Sequence, residues 1–425
     1  MEIFRLVFGI AVFIVTFYFI ISEKYPKSIV SVIGAGLMIV SGILNEEQAL
    51  DTIGYNLEVI FLLIGMMIIV EIMAETGVFQ WVAIKIAQLV KGDPVKILVF
   101  LSTVTAVFSA VLDNVTTILL VVPVTIFLAE RLEVDPKPFV LLQIFMSNIG
   151  GTATMIGDPP NLIIATLSGM GFNDFIINLM PVIIINTVVL LGSTALFFKK
   201  RLVVSRELKA SIMELDLKRT IKDKKLLKQS LGVFIVVILG FVTNSITNIG
   251  LAVIAIFGAA VLVFLSGKKP EEIFVKVEWD TLFFFGGLFI LVEGVENLGV
   301  IKTLGEHIIR ITEGSLEMTS SLILILSTIL SPIIGSIPHT LSFGKIIAEI
   351  LPGYTGNTEV LWWALSLGAC LGGNMTIVGA AANIVGSSVA KKVGIEISFK
   401  EFFKWGLIVV LQSTILSLIY IYIRY

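Results

Sequence analysis

The sequence predicts an all-α membrane protein made of two inverted repeats of five spans, each repeat with a re-entrant hairpin and a broken helix. Three observations predict it. Of 425 residues, 56% are hydrophobic and only 15% are charged, and runs of roughly 20 apolar residues, enough to cross ~30 Å of hydrocarbon, recur along the whole chain. Polar, glycine-rich stretches interrupt some of these runs, and lipid tolerates irregular backbone only where protein or a water-filled cavity surrounds it. A single shift of 222 positions places Gly65, Glu71, Gly77 and Val78 on Gly287, Glu293, Gly299 and Val300, and Gly150, Gly151, Thr154, Gly157 and Asn161 on Gly372, Gly373, Thr376, Gly379 and Asn383.

Taken in order, spans are expected at about 3 to 21, 27 to 43 and 57 to 75. The first is followed by Ser-Glu-Lys-Tyr-Pro-Lys without a small-x-small cleavage pattern, so it reads as a retained span rather than a signal peptide. Residues 78 to 91 mix Gln80, Lys85 and Gln88 with apolar positions and read as an interfacial helix. Residues 96 to 130 form two apolar arms around Asp113, Asn114, Thr116 and Thr117. Each arm is barely long enough to cross, which favours a hairpin with its tip near mid-membrane. Residues 138 to 168 are long enough to cross but break at Gly150-Gly151, and a span from 175 to 198 closes the first repeat, 1 to 198. Residues 199 to 229, with eleven Lys or Arg against four acidic residues, form a basic linker expected to be partly helical on the membrane surface. The second repeat, 230 to 425, is expected to carry its hairpin at 317 to 351, its broken helix at 360 to 390 and a last span at 402 to 422.

An odd number of crossings per repeat inverts the second copy, as in secondary transporters. Charge agrees with a cytoplasmic linker and both termini outside: the segments then facing inward hold 25 of the 30 Lys and Arg, while the outer loops at 44 to 56, 169 to 174 and 244 to 248 hold none. A net charge of -2 gives no reason to expect nucleic acid, and the single Cys370 excludes an internal disulfide or a multi-thiol metal site. No zinc-protease helix, Ser/Lys or Ser/His signature and no soluble catalytic domain can be placed, so an enzyme is not expected.

Four segments are expected to converge: two hairpin tips and two helix breaks. Breaks expose carbonyls to a cation, and restarting helices aim N-terminal dipoles at an anion. Gly150, Gly151, Gly372 and Gly373 let backbone approach a ligand, or else pack helices closely. Thr152, Thr154, Asn148, Asn374, Thr376 and Asn383 add neutral donors and acceptors. Asp113, with Asn114 beside it, is either a cation or proton site or the cap of the following helix, because an unpaired charge at mid-membrane costs at least ~2.5 kcal/mol. Asp158, followed by Pro159, reads first as a helix cap that can still face the site, and with Asn161 it is a candidate for cation or proton coupling alongside Asp113 and Asn114. Glu71 and Glu293 read as surface helix ends rather than buried proton carriers. At the second tip, Gly335, Ser336, Pro338, His339 and Thr340 replace the first tip's pattern; His339 is either a titrating group or a hydrogen-bonded structural one. His307, beside Glu306 and Arg310, reads as a solvated face.

The runs LDNVTTILLVVPVTI (112 to 126), SNIGGTATMIGDPPNLII (147 to 164) and GACLGGNMTIVGAAANIV (368 to 385) resemble the P-protein branch of the ion transporter superfamily, near the arsenite permeases and the sodium-dicarboxylate symporters. The resemblance implies a dimeric elevator carrier whose transport domain holds the hairpins and broken helices. It maps the first hairpin motif onto Asp113, Asn114 and Thr116, the first break onto Asn148 to Asn161 and the second onto Gly372 to Asn383. Where the family commonly has Asp-Asn-Ile-Pro-Phe-Thr at the second tip, this chain has Gly335, Ser336, Ile337, Pro338, His339 and Thr340.

The expected function is secondary active transport of a small inorganic oxyanion or carboxylate, coupled to Na⁺ or H⁺, in the plasma membrane. A Na⁺ site is expected near Asp113, Asn114 and Gly151, with no other cofactor. A sodium/proton antiporter and an anion channel on the same fold stand as alternatives. Partners are the small anion, the coupling cation, the bilayer and a second copy of the chain.

Overall fold

The computed structural model describes residues 2–22 and 24–425; Met1 and Glu23, the latter in the loop expected at 22 to 27, lie outside the described residues. Among the described residues the regular structure is helical throughout. The first half runs α1 (Glu2–Ser22), α2 (Lys27–Val40), α3 (Glu46–Glu75), α4 (Val78–Leu89), α5 (Pro94–Val111), α6 (Asn114–Arg131), α7 (Lys137–Gly151), α8 (Pro159–Ser168) and α9 (Phe172–Phe198). Next come α10 (Arg206–Met213), α11 (Lys224–Val242), α12 (Asn244–Thr247), α13 (Leu251–Ser266) and α14 (Pro270–Phe274). The chain ends with α15 (Trp279–Asn297), α16 (Val300–Ile311), α17 (Leu316–Ile334), α18 (Ser336–Ile350), α19 (Glu359–Gly372), α20 (Ala381–Lys392) and α21 (Phe399–Arg424). Eight described helices are long and apolar enough to cross a membrane, and α15 with α16, bent by 70°, raises this to as many as nine.

Local chemistry sets the helix ends. Asn45 and Gln48 form a reciprocal capping box at the start of α3. That box corrects the sequence reading of 44 to 56 as a loop: the helix begins at Glu46, 11 residues before the expected start at 57, because a polar first turn with a strong cap needs no apolar face. Asp93 accepts from the Lys96 N–H ahead of Pro94, and Ser398 accepts from the Glu401 N–H. The basic segment after α9 is held to the bundle, with Lys222 N–H donating to the Thr76 carbonyl and Gln88 Nε2 donating to the Leu215 carbonyl at 2.9 Å.

The halves interlock. Helix α3 packs on α13 and α2 on α15. A methyl group at Gly65 would meet the Ala255 backbone at 2.6 Å, and one at Gly287 would meet the Ser31 backbone at the same distance. Elsewhere, α5 packs on α7 and α17 on α19. Each of these pairs joins a hairpin arm to the first half of a broken helix.

Candidate functional site

The 222-residue offset recurs in the hydrogen bonding around the two breaks. Ser109 Oγ donates to the Ser147 carbonyl, and Ser331 Oγ donates to the Ala369 carbonyl, both at 2.6 Å. Thr154 Oγ1 donates to the Ala110 carbonyl, and Thr376 Oγ1 donates to the Pro332 carbonyl. Asn161 Nδ2 holds the carbonyls of Thr152 and Thr154, while Asn383 Nδ2 holds those of Gly373 and Thr376. An apolar surrounding makes an unmet carbonyl costly, so one asparagine amide per break stitches the unwound backbone back together.

A further set of bonds crosses between the halves. Asn148 Nδ2 donates to Oδ1 of Asn374 at 2.8 Å and to Oδ1 of Asn383 at 2.7 Å. In turn, Asn114 Nδ2 donates to Oδ1 of Asn148 and to Oδ1 of Asp158, each at 3.1 Å. Asp158 stands at the N-cap position of α8, yet its side chain makes no capping bond. This corrects its reading as a helix cap: Pro159 and Pro160 lack N–H donors, so the carboxylate turns to the tip amide. Asp113 does cap α6, accepting from the Thr116 N–H at 2.8 Å. Asn114 Oδ1 is buried with no partner among the described residues.

Between the tips lies a cavity of about 160 Å³. Residues that open four helices line it: Asn114 of α6, Pro159 of α8, Ser336 of α18 and Ala381 of α20. Each helix N-terminus carries roughly half a positive charge and, except at α8 where Pro159 and Pro160 lack them, presents first-turn N–H groups, so the convergence makes a place for negative charge. Toward the entry of α15 the wall is charged, with Asp113, Glu278, Asp280 and Lys27. Ser28 Oγ donates to Asp280 Oδ1. Glu278 is half-buried, and loss of hydration, the negative charge of Asp113 and that of Asp280 push its carboxyl up to about 7, against an opposing hydrogen bond from Thr281.

A family model described as a citrate transporter matches residues 17–368. The chain belongs to the citrate transporter family. It is 40% identical over 99% of both chains to a 46 kDa membrane protein of Mycobacterium leprae. An uncharacterized transporter of Mycobacterium tuberculosis is 38% identical over 99% of this chain and 98% of its own. The P protein of Mus musculus is 30% identical over 98% of this chain but only 60% of its own length, which bears out the resemblance drawn from the three motifs. In fold, the chain is similar to the Alcanivorax borkumensis YdaH transporter, with a TM-score of 0.53, 14% identity and coverage of 86% and 85% of the two chains. This citrate transporter family member is therefore a multi-pass all-α membrane transporter and not an enzyme.

Within this family member, the residues singled out by sequence fall into three groups. Asp113, Asn114, Ser336 and Pro338 line the cavity. Asn148, Asn161, Asp158, Asn374, Asn383, Thr152, Thr154 and Thr376 form the buried network behind it. Gly150 and Gly372 serve close packing, since a methyl group would meet Ala106 at 2.2 Å and Thr328 at 2.8 Å. A methyl group at Gly151 would meet the Gly157 carbonyl at 2.6 Å, and one at Gly373 would meet the Gly379 carbonyl less tightly, at 3.2 Å. Thr116 contributes its N–H to the Asp113 cap. His339 and Thr340 are buried away from the cavity, with the His339 ring 4.4 Å from that of Phe343. Glu71 pairs with Lys276 at 2.8 Å and Glu293 with Lys345 at 2.8 Å, as partly exposed ion pairs. His307 is exposed. Sequence reasoning missed Lys27, Glu278, Asp280, Ala380 and Ala381, because charges at helix starts and alanines carry no pattern that marks a site. The 222 offset was the available signal, since it pairs Ala381 with Pro159.

Proposed function

We propose that this transporter is a secondary active carrier of a small anion, an inorganic oxyanion or a carboxylate, coupled to Na⁺ or H⁺. The observation that carries the reading is the convergence of four helix N-termini on one cavity between the two tips. A carboxylate is the first class to try, because the matching family model is described as a citrate transporter. Cation coupling draws on Asp113 and Asp158, two acids gathered around Asn114, whose free Oδ1 can accept a cation. In this reading the hairpins and broken helices move as one body against α2, α3, α13 and α15, the elevator motion. The basic linker is cytoplasmic, both termini are outside in the plasma membrane, and the carrier is a homodimer.

The same acids favour a second reading, a sodium/proton antiporter that carries no anion. Purified protein in liposomes separates the two. With an imposed Na⁺ or proton gradient, labelled citrate, phosphate and other small anions are offered, and uptake with counterflow is expected for at least one. Sodium/proton exchange without uptake of any anion would overturn the anion reading. Conductive currents without counterflow would indicate a channel.

A further inference from the structure

We infer that the two walls of the cavity divide the charges: the carboxylate or oxyanion group of the substrate docks on the second-half wall, against the first turns of α18 and α20 and the Ser336 hydroxyl, and the first-half wall is left to the cation. This rests on the anion-carrier reading above and adds to it where the negative group sits.

The walls are built from equivalent positions with opposite chemistry. On the first, the start of α6 is already met by the Asp113 carboxylate. The start of α8 holds buried Asp158 followed by two prolines, which offer no N–H. An anion there would meet two acids and few donors. On the second, Asp113 and Asp158 are replaced by Gly335 and Ala380. Among the described residues no side chain caps α18 or α20. The N–H groups of Ser336 and Ile337 open α18, those of Ala381 and Ala382 open α20, and Ser336, Ile337 and Ala381 all line the cavity.

Ser336 supplies a second, independent sign. It is only 6% exposed and lines the cavity, its hydroxyl bonds to no other described side chain, and it is not among the polar atoms sealed inside the protein. A hydroxyl on a largely buried residue that lines a cavity beside first-turn N–H donors is free to donate to an acceptor ligand there. The charges on the remaining wall, Asp113, Glu278 and Asp280 with Lys27, are mostly negative and bias an anion toward the second-half wall.

The first half supplies the test, because it already has Pro159 where the second has Ala381. Ala381→Pro removes one N–H at a position where proline fits a helix start, and Ser336→Ala removes one oxygen. Uptake in proteoliposomes is measured for whichever of citrate and inorganic phosphate the wild type carries, with the other tested as a competitor. Each variant is expected to raise KM for the anion roughly ten-fold or more, the scale of a lost hydrogen bond to a charged group. The cation concentration giving half-maximal uptake is expected to stay the same. Unchanged anion KM in both variants would overturn the assignment and leave the carrier reading standing. Should Ala381→Pro fail to elute as a folded protein, Ser336→Ala alone decides. Wild-type protein that takes up neither anion, nor any other in the panel, removes the carrier reading and this assignment together.

Discussion

The Asn148 amide donates to the Asn383 side chain at 2.7 Å, while the position equivalent to Asn148 in the second half, Cys370, faces Asn161 with its sulfur 3.8 Å from Oδ1. The Asn148 amide thus ties the breaks through two strong bonds, to Asn374 and Asn383, where Cys370 offers one weak thiol contact. Ser366 compensates on the thiol side by donating to Asn161 Oδ1 at 2.6 Å. Asn383 in turn holds two carbonyls of the second break, so the link from Asn148 fixes which way that amide points.

Replacing either asparagine leaves buried polar atoms unmet and is expected to cost about 1–3 kcal/mol. Asn148→Ala and Asn383→Ala should each lower the unfolding temperature in detergent. The double variant should lose clearly less than the sum, since the residues share one bond. Strict additivity in a thermal-unfolding cycle would show that they do not act together.

Gly150 and Gly372 make a separate prediction. A methyl group at either would sit well inside contact distance of hairpin-arm backbone, which cannot move aside as a side-chain tip can. Gly150→Ala and Gly372→Ala should therefore cost about 1–3 kcal/mol or more through overpacking. Gly54→Ala, in α3 with open space around the added methyl, should be neutral or stabilising by about 0.5–1 kcal/mol. Comparing the yield of monodisperse protein and its unfolding temperature across the three checks this.

These glycines also show how far the sequence could be read. The breaks, the tips and the 222-residue offset were legible because lipid makes polar interruption costly, and because duplicated glycines keep their spacing when close packing demands them. Whether a glycine served ligand or packing was not legible, since both uses need only a missing side chain. The start of α3 was lost for a similar reason: Asn45 to Gln48 is polar whether it is loop or capped helix. Asp158 looked like a cap from its neighbours, and only the position of Asn114 reveals its other partner. The cavity wall on α20 is two alanines, whose contribution is backbone and leaves no trace in composition.

Glu278 gives the transporter a pH dependence with a definite sign. Its carboxyl, raised to about 7 by lost hydration and by Asp113 and then Asp280, is neutral below that pH and charged above it. Rising pH therefore adds a negative charge to a wall that already holds Asp113 and Asp280 beside Lys27. Anion uptake at fixed cation gradient should fall through pH 7, by roughly ten-fold at most for one charge partly screened by water. Glu278→Gln should flatten that fall. Linkage gives stability the same direction: a carboxyl raised in the folded state makes folding less favourable as pH climbs from its unfolded value toward 7. An identical pH profile in Glu278→Gln would remove the residue from this role.

Returning the missing carboxylate to the second half tests how the two walls came to differ, and the backbone dictates where it can go. Gly335 has φ +99° and ψ 142°, a region essentially restricted to glycine. Its first-half counterpart Asp113 has φ −68° and ψ 154°, ordinary extended backbone. Gly335→Asp should therefore strain the tip by about 1–3 kcal/mol and lower the unfolding temperature, whatever it does to transport. Ala380 is different: at φ −144° and ψ 150° it accepts any side chain, and its counterpart is Asp158 with φ −140° and ψ 128°. Ala380→Asp should fold without backbone strain, its cost being the desolvation of a carboxylate at a buried position, and should place that carboxylate on the wall assigned to the anion. Uptake of the anion should fall at least ten-fold, the scale of a like charge desolvated beside the ligand. If the variant instead folds poorly while Gly335→Asp is stable, the backbone argument fails; if it folds well and transports the anion as wild type does, the negative group binds elsewhere in the cavity.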